Sequence, residues 1–115
     1  MEVSILKTIR IFIGLSDDDS SFDTDIVIHA NSAFMVLQQL GLGSNDFFRV
    51  TGTKELWIDF DSKISRFEMI KDYVCLRVKI ILDPPSNSSV LEAIKETIKE
   101  YEWRLNLEVE EGNNQ

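Results

Sequence analysis

The run Ser62-Lys-Ile-Ser-Arg-Phe-Glu-Met-Ile-Lys-Asp-Tyr-Val-Cys-Leu-Arg-Val-Lys-Ile-Ile-Leu82 decides the fold. Phe67, Ile70, Val74, Val78 and Ile81 recur at three- and four-residue intervals and form one apolar helical stripe. Met69, Tyr73, Leu76 and Ile80 form a second stripe beside it. A helix apolar over so wide an arc must be covered on more than one side, so this segment is expected at the centre of a helical packing. Asp83-Pro84-Pro85 stops it, because the residue before a proline is driven out of the α region.

Beyond the prolines, Ser89 and Glu92 have the spacing of a capping box for a last helix carrying Leu91, Ile94, Ile98, Tyr101 and Leu105. The expected unit is a long antiparallel helix pair joined by a short proline turn. After Trp103 the period changes: Leu105, Leu107 and Val109 alternate with Asn106, Glu108 and Glu110, as in a strand. The pattern divides the chain into a helical domain over residues 1–103 and an extended, partner-binding tail over residues 104–115. A fraying helix end is the other reading of the same residues.

On the N-terminal side, Ile5, Leu6, Ile9, Phe12 and Ile13 predict a short amphipathic helix stopped by Gly14. A polar, acidic stretch from Ser16 to Ser21 leads into a longer helix from Asp23 to Leu40, with Ile26, Ala30, Ala33, Phe34, Leu37 and Leu40 among its apolar residues and Gly41 ending it. Asp23 or Ser21 is suited to cap it, and Asp25 favours its N-terminal dipole. Residues 42–61 read as a loop with a short helix within Lys54-Glu-Leu-Trp-Ile-Asp-Phe60, or as a hairpin using Phe47, Phe48 and Val50. The fold class is thus mainly α: a small bundle of about four to five helices with a strand-like C-terminal tail.

Composition narrows the function. The 115 residues include 12 Lys+Arg and 20 Asp+Glu, a formal charge of −8, with 43% hydrophobic residues, one Cys and one His. This describes a single acidic globular domain. Tight binding to duplex DNA or anionic lipid needs the opposite charge. Lone Cys75 and lone His29 supply neither an internal disulfide nor an ordinary zinc site. No signal peptide or membrane-spanning run is legible.

Candidate chemistry is sparse. Asp17, Asp18, Asp19, Asp23 and Asp25 suggest a calcium loop, but Phe22 stands where that loop needs Gly and Ile28 where it needs a bidentate Glu. They read as a solvated, helix-capping loop. His29 has no Cys or second His to act with, and Ser4 with Lys7 matches Ser-x-x-Lys without the rest of that catalytic set. Gly41-Leu-Gly43 lacks the continuation of a phosphate loop, and Cys75 sits among apolar residues as inert packing. Trp57, Trp103, Phe47, Phe48, Phe60 and Tyr101 lack the basic groove of a base-stacking platform, which leaves core packing or protein contact. No catalytic constellation and no cofactor site is expected.

Phe22-Asp-Thr-Asp-Ile26, His29-Ala-Asn31-Ser32-Ala-Phe34, Gln39-Leu-Gly-Leu-Gly43, Leu82-Asp-Pro-Pro85 and Glu102-Trp-Arg-Leu-Asn106 carry a resemblance. The chain, over residues 3 to 108, resembles the small head-tail connector (adaptor, or head completion) proteins of tailed bacteriophages of low-GC Gram-positive hosts. The resemblance implies a structural virion protein, made in the host cytoplasm. It implies a homo-oligomeric ring beneath the portal protein, dodecameric like the portal, that extends the DNA channel and meets a stopper or tail-completion protein. DNA would pass without specific binding, and no membrane is involved. On that reading Trp103, Arg104, Leu105, Leu107 and Val109 are expected at the portal or between subunits, and Asp59 and Asp61 at the channel or next ring. The rival reading is a small acidic helical regulator or DNA mimic binding one protein.

Overall fold

The computed structural model describes residues 3–43 and 47–113, and it is mainly helical. In chain order the helices are α1 (Ile5–Phe12), α2 (Asp23–Gln39), α3 (Trp57–Phe60), α4 (Ile64–Leu82) and α5 (Ser88–Asn113). No strand forms among the described residues; an isolated bridge pairs Ser4 with Leu56.

α4 lies at the centre, packed against α1, α2, α3 and α5, with its most extensive contact to α2. Ile70, Tyr73, Val74, Cys75 and Val78 are all buried, which accounts for the two adjacent apolar stripes in its sequence. α2 buries Ile26, Ala30, Ala33, Phe34 and Leu37. Its two buried alanines are small enough to let a neighbouring helix approach closely. α1 starts at Ser4, whose hydroxyl accepts the Lys7 amide at 3.3 Å, and buries Ile5, Leu6 and Ile9.

The connection from α2 to α4 is organised by side chains. Asn31 accepts the Val50 amide at 2.7 Å and donates to the Val50 carbonyl at 3.0 Å, so one amide group replaces a strand partner. Glu55 accepts from the Thr51 amide, the Thr51 hydroxyl and the Gly52 amide. Burial opposes its charge, but these bonds prevail and hold its pKa below the ordinary glutamate value. Phe34 then receives Phe48, Trp57 and Phe60 at centroid distances of 5.1, 6.0 and 4.7 Å. Trp57 Nε1 donates to Thr8 Oγ1 at 3.1 Å, tying α3 to α1. The hairpin alternative is not formed by the described residues; the expected short helix is α3, and residues 44–46 of this segment lie outside those described.

Three sequence expectations are corrected. Residues 104–113 are not extended: they continue α5 without a break, so the boundary expected after Trp103 falls inside a helix. The alternation of Leu105, Leu107 and Val109 overlies a four-residue spacing of Tyr101, Leu105 and Val109, and the core rewards the latter. α5 is capped by Asn87, whose side-chain oxygen accepts the Ser89 and Val90 amides at 2.8 and 3.2 Å, rather than by Ser89 with Glu92. α2 has Phe22 at its N-cap without a side-chain cap, because Asp23 is committed elsewhere.

Asp23 faces Arg10. The guanidinium is buried and donates to both Asp23 carboxylate oxygens, at 2.9 and 2.5 Å, and to the Asp17 carbonyl at 2.6 Å. The Asp23 hydrogen bond raises the Arg10 pKa against the opposing effect of burial, and the pair fastens the acidic loop to α1.

Candidate functional site

Residues from Trp103 onward sort by helical face. Trp103 and Leu107, four apart, are 65% and 37% exposed and form an outward apolar stripe. Arg104 stands beside it, 3.5 Å from Glu100 on the same exposed surface. Leu105 is 0% exposed and belongs to the protein's own core. Val109 packs partly buried against that core, and a Cβ on Gly41 would come within 2.9 Å of its Cγ1. Gly41 also has φ +98°, where only glycine is unstrained, so both backbone and space require it.

The two aspartates expected at a channel have different surroundings. Asp59 is exposed and accepts the Leu56 amide at 2.8 Å, capping α3. Asp61 is buried: it accepts the Gly43 amide at 3.2 Å and the Lys63 amide at 2.9 Å, and lies 3.4 Å from buried Arg66. Arg66 Nε is also 3.9 Å from Glu108 on α5, whose Oε2 is buried with no hydrogen-bond partner among the described residues. Arg66 stands between Asp61 and Glu108 and bridges the start of α4 to the C-terminal third of α5 through this ion pair, without a hydrogen bond to Glu108. Sequence spacing could not find this bridge, since Glu108 lies more than forty residues from Asp61 and Arg66.

Two polar contacts fix the middle of the α4–α5 packing. The Tyr73 hydroxyl donates to Glu102 at 2.7 Å and accepts from Arg77 at 2.9 Å, and burial followed by the Glu102 bond pushes its pKa up to about 12. Burial likewise pushes the Cys75 thiol up to about 12, which leaves it protonated and unreactive at neutral pH. Asp72 is raised by burial and by the Glu68 charge.

The surface carries further apolar exposure that the sequence did not single out. Phe22 projects from the acidic loop. Ile28 and Met35 stand on the outer face of α2, where they line an open groove of about 440 Å³ with Phe48 and Arg49. A second groove, of about 380 Å³, runs between α4 and α5 near the proline turn. No group of His, Cys, Asp and Glu able to hold a metal occurs among the described residues, and none of their helices is long and apolar enough to cross a membrane.

The family described as Phage connector protein matches residues 5–112, which span all five helices. The chain belongs to that family, whose members are structural proteins of the phage head-tail junction. No curated protein and no solved structure gives a significant match.

Proposed function

We propose that the protein is a non-catalytic virion component that closes into a ring, dodecameric like the portal, beneath the portal protein. The ring extends the DNA channel and presents its far side to a stopper or tail-completion protein. The observation that carries this reading is the family match over residues 5–112. Repeating a −8 subunit around a ring makes an acidic collar, and an acidic wall repels phosphates and lets DNA slide. In this reading the partner-binding segment from residue 104 works as a helix, with Trp103, Arg104 and Leu107 making contact while Leu105 and Val109 hold the segment to the body. Exposed Asp59 is the aspartate available to the channel or the next ring. The helices α4 and α5 act as an antiparallel pair, supported by contacts of Arg66 with Glu108 and of Tyr73 with Glu102.

The test is negative-stain imaging of the chain mixed with the portal protein from the same genome. An added ring of density beneath the portal is expected. Bare portals at high excess of the chain would overturn the reading and favour a regulator that binds a single protein. Deleting the chain after Trp103 would remove Leu105 from the core, so the contact surface is better probed with Trp103→Ser and Leu107→Ser, which are expected to fold and to lose the ring.

A further inference from the structure

The groove between α4 and α5 combines exposed apolar surface with a cationic lining, unusual in a chain of net charge −8. Ile80, Ile81 and Ile98 form its floor and wall, with Ile81 50% exposed, and Arg77, Lys95 and Lys99 stand around them. Glu102, the carboxylate that also lines it, is engaged by the Tyr73 hydroxyl. Among the described residues Arg77 has no carboxylate within ion-pair distance. Lys95 and Lys99 reach only Glu92 and Glu96, three residues back on the same exposed face, at 3.4 and 3.6 Å. Such pairs are weak and readily exchanged.

The complementary shape lies elsewhere on the same molecule. Phe22 is 50% exposed at the start of α2, flanked by exposed Asp18 and Asp25. Arg10 clamps this loop to α1 through Asp23 and the Asp17 carbonyl, so Phe22 is presented on a fixed support. The acidic loop cannot fill its own groove: Asp17 lies beside Phe67, Glu68 and Lys71, two to three turns of α4 away from Arg77 and Ile81.

We propose that the acidic loop of one copy, with Phe22 at its junction with α2, docks into the α4–α5 groove of the next copy. Phe22 seats on Ile81 and Ile98, and Asp18 and Asp25 meet Arg77, Lys95 and Lys99. The two surfaces are different, so the contact is head-to-tail and propagates from copy to copy instead of stopping at a dimer, which is the kind of contact a ring is built from. The inference rests on the ring reading above and names the surfaces that build it.

The test uses the full chain with portal protein, scoring rings by imaging and assembly by sedimentation. Lys95→Glu with Lys99→Glu is expected to raise the concentration for half-assembly at least about tenfold, as is Asp18→Lys with Asp25→Lys. The chain carrying all four changes is expected to return to within about threefold of the original. Circular dichroism and melting of each variant check the fold. As a second measurement, a chain with Ser21→Cys and Asp83→Cys, exposed positions beside Phe22 and Ile81 that leave both in place, treated with a short bis-maleimide is expected to give a ladder of cross-linked oligomers, with buried Cys75 silent. Wild-type rings together with undisturbed assembly of the charge-reversed chains, or with no ladder, would overturn the inference and leave the ring reading standing. Absence of any ring from the wild-type chain would overturn both.

Discussion

Leu105 and Leu107 give the sharpest test of how the C-terminal segment is built. In an extended tail the two share one face and are equivalent. In α5 Leu105 is wholly buried and Leu107 stands partly in solvent. Leu105→Ala removes buried methyl groups from a closed site and should cost about 3 kcal/mol, within the ~2 to 5 kcal/mol usual for such truncations. Leu107→Ala trims a side chain that is 37% exposed and should cost about 1 kcal/mol, well below the Leu105 value. A loss of ~3 kcal/mol lowers the melting temperature of a domain this size by about 12 °C and takes a large share of a total stability on the order of 10 kcal/mol. The assay is urea and thermal unfolding of the isolated chain at low concentration, followed by circular dichroism, with the urea slope checked for constancy. Equal effects at the two positions, or a larger one at Leu107, would refute the helical reading of residues 104–113.

Further outcomes follow from the same contacts. Gly41→Ala should destabilise by about 2 kcal/mol, since φ +98° strains any side chain and the new Cβ meets Val109 at 2.9 Å; adding Val109→Ala should recover the contact part and leave the backbone part. Arg66→Met should cost about 3 kcal/mol in urea unfolding, because Asp61 stays buried without its cation. The thiol of Cys75 should resist aromatic disulfide reagents at pH 8 in the native chain and react on unfolding. Tyr73 and Cys75 both have folded pKa values raised to about 12, from 10.0 and 9.0. Their contribution to stability is therefore complete below pH 9 and lost as pH rises to 12, by up to about 1.4 kcal/mol per pH unit for each group. Melting temperatures that stay flat across that interval would contradict their burial.

The helices were legible where periodicity and burial agree. The double stripe of α4 could only be satisfied by a central position, and the apolar face of α2 was visible from Ile26 to Leu37. What sequence could not rank was competition between partners. Asp23 is a good cap by type, yet buried Arg10 needs a counter-charge more than the first turn of α2 needs a cap. Ser89 and Glu92 have capping-box spacing, but Asn87 caps just as well, and it lies closer to the proline turn. The alternation after Trp103 fitted two periods at once, and the contacts that choose between them, with Gly41 and Arg66, are remote in sequence. Among the site residues, exposed Trp103 and Leu107 suit a surface role. Leu105 and Asp61 turned inward for reasons visible only in three dimensions.

α5 has one consequence for how the molecule opens. It is 26 residues long, about 39 Å, against a longest molecular extent of 44 Å. Of its described residues Leu105 alone is fully buried, and it lies in the C-terminal third. The first four turns rest on half-covered side chains and on helix propensity, which is marginal in water. Amide hydrogen exchange along this one helix should therefore be fastest at the proline-turn end and slowest in the stretch around Leu105. Any neighbour that covers the turn end would appear as new protection over residues 90–99 and little change beyond 105.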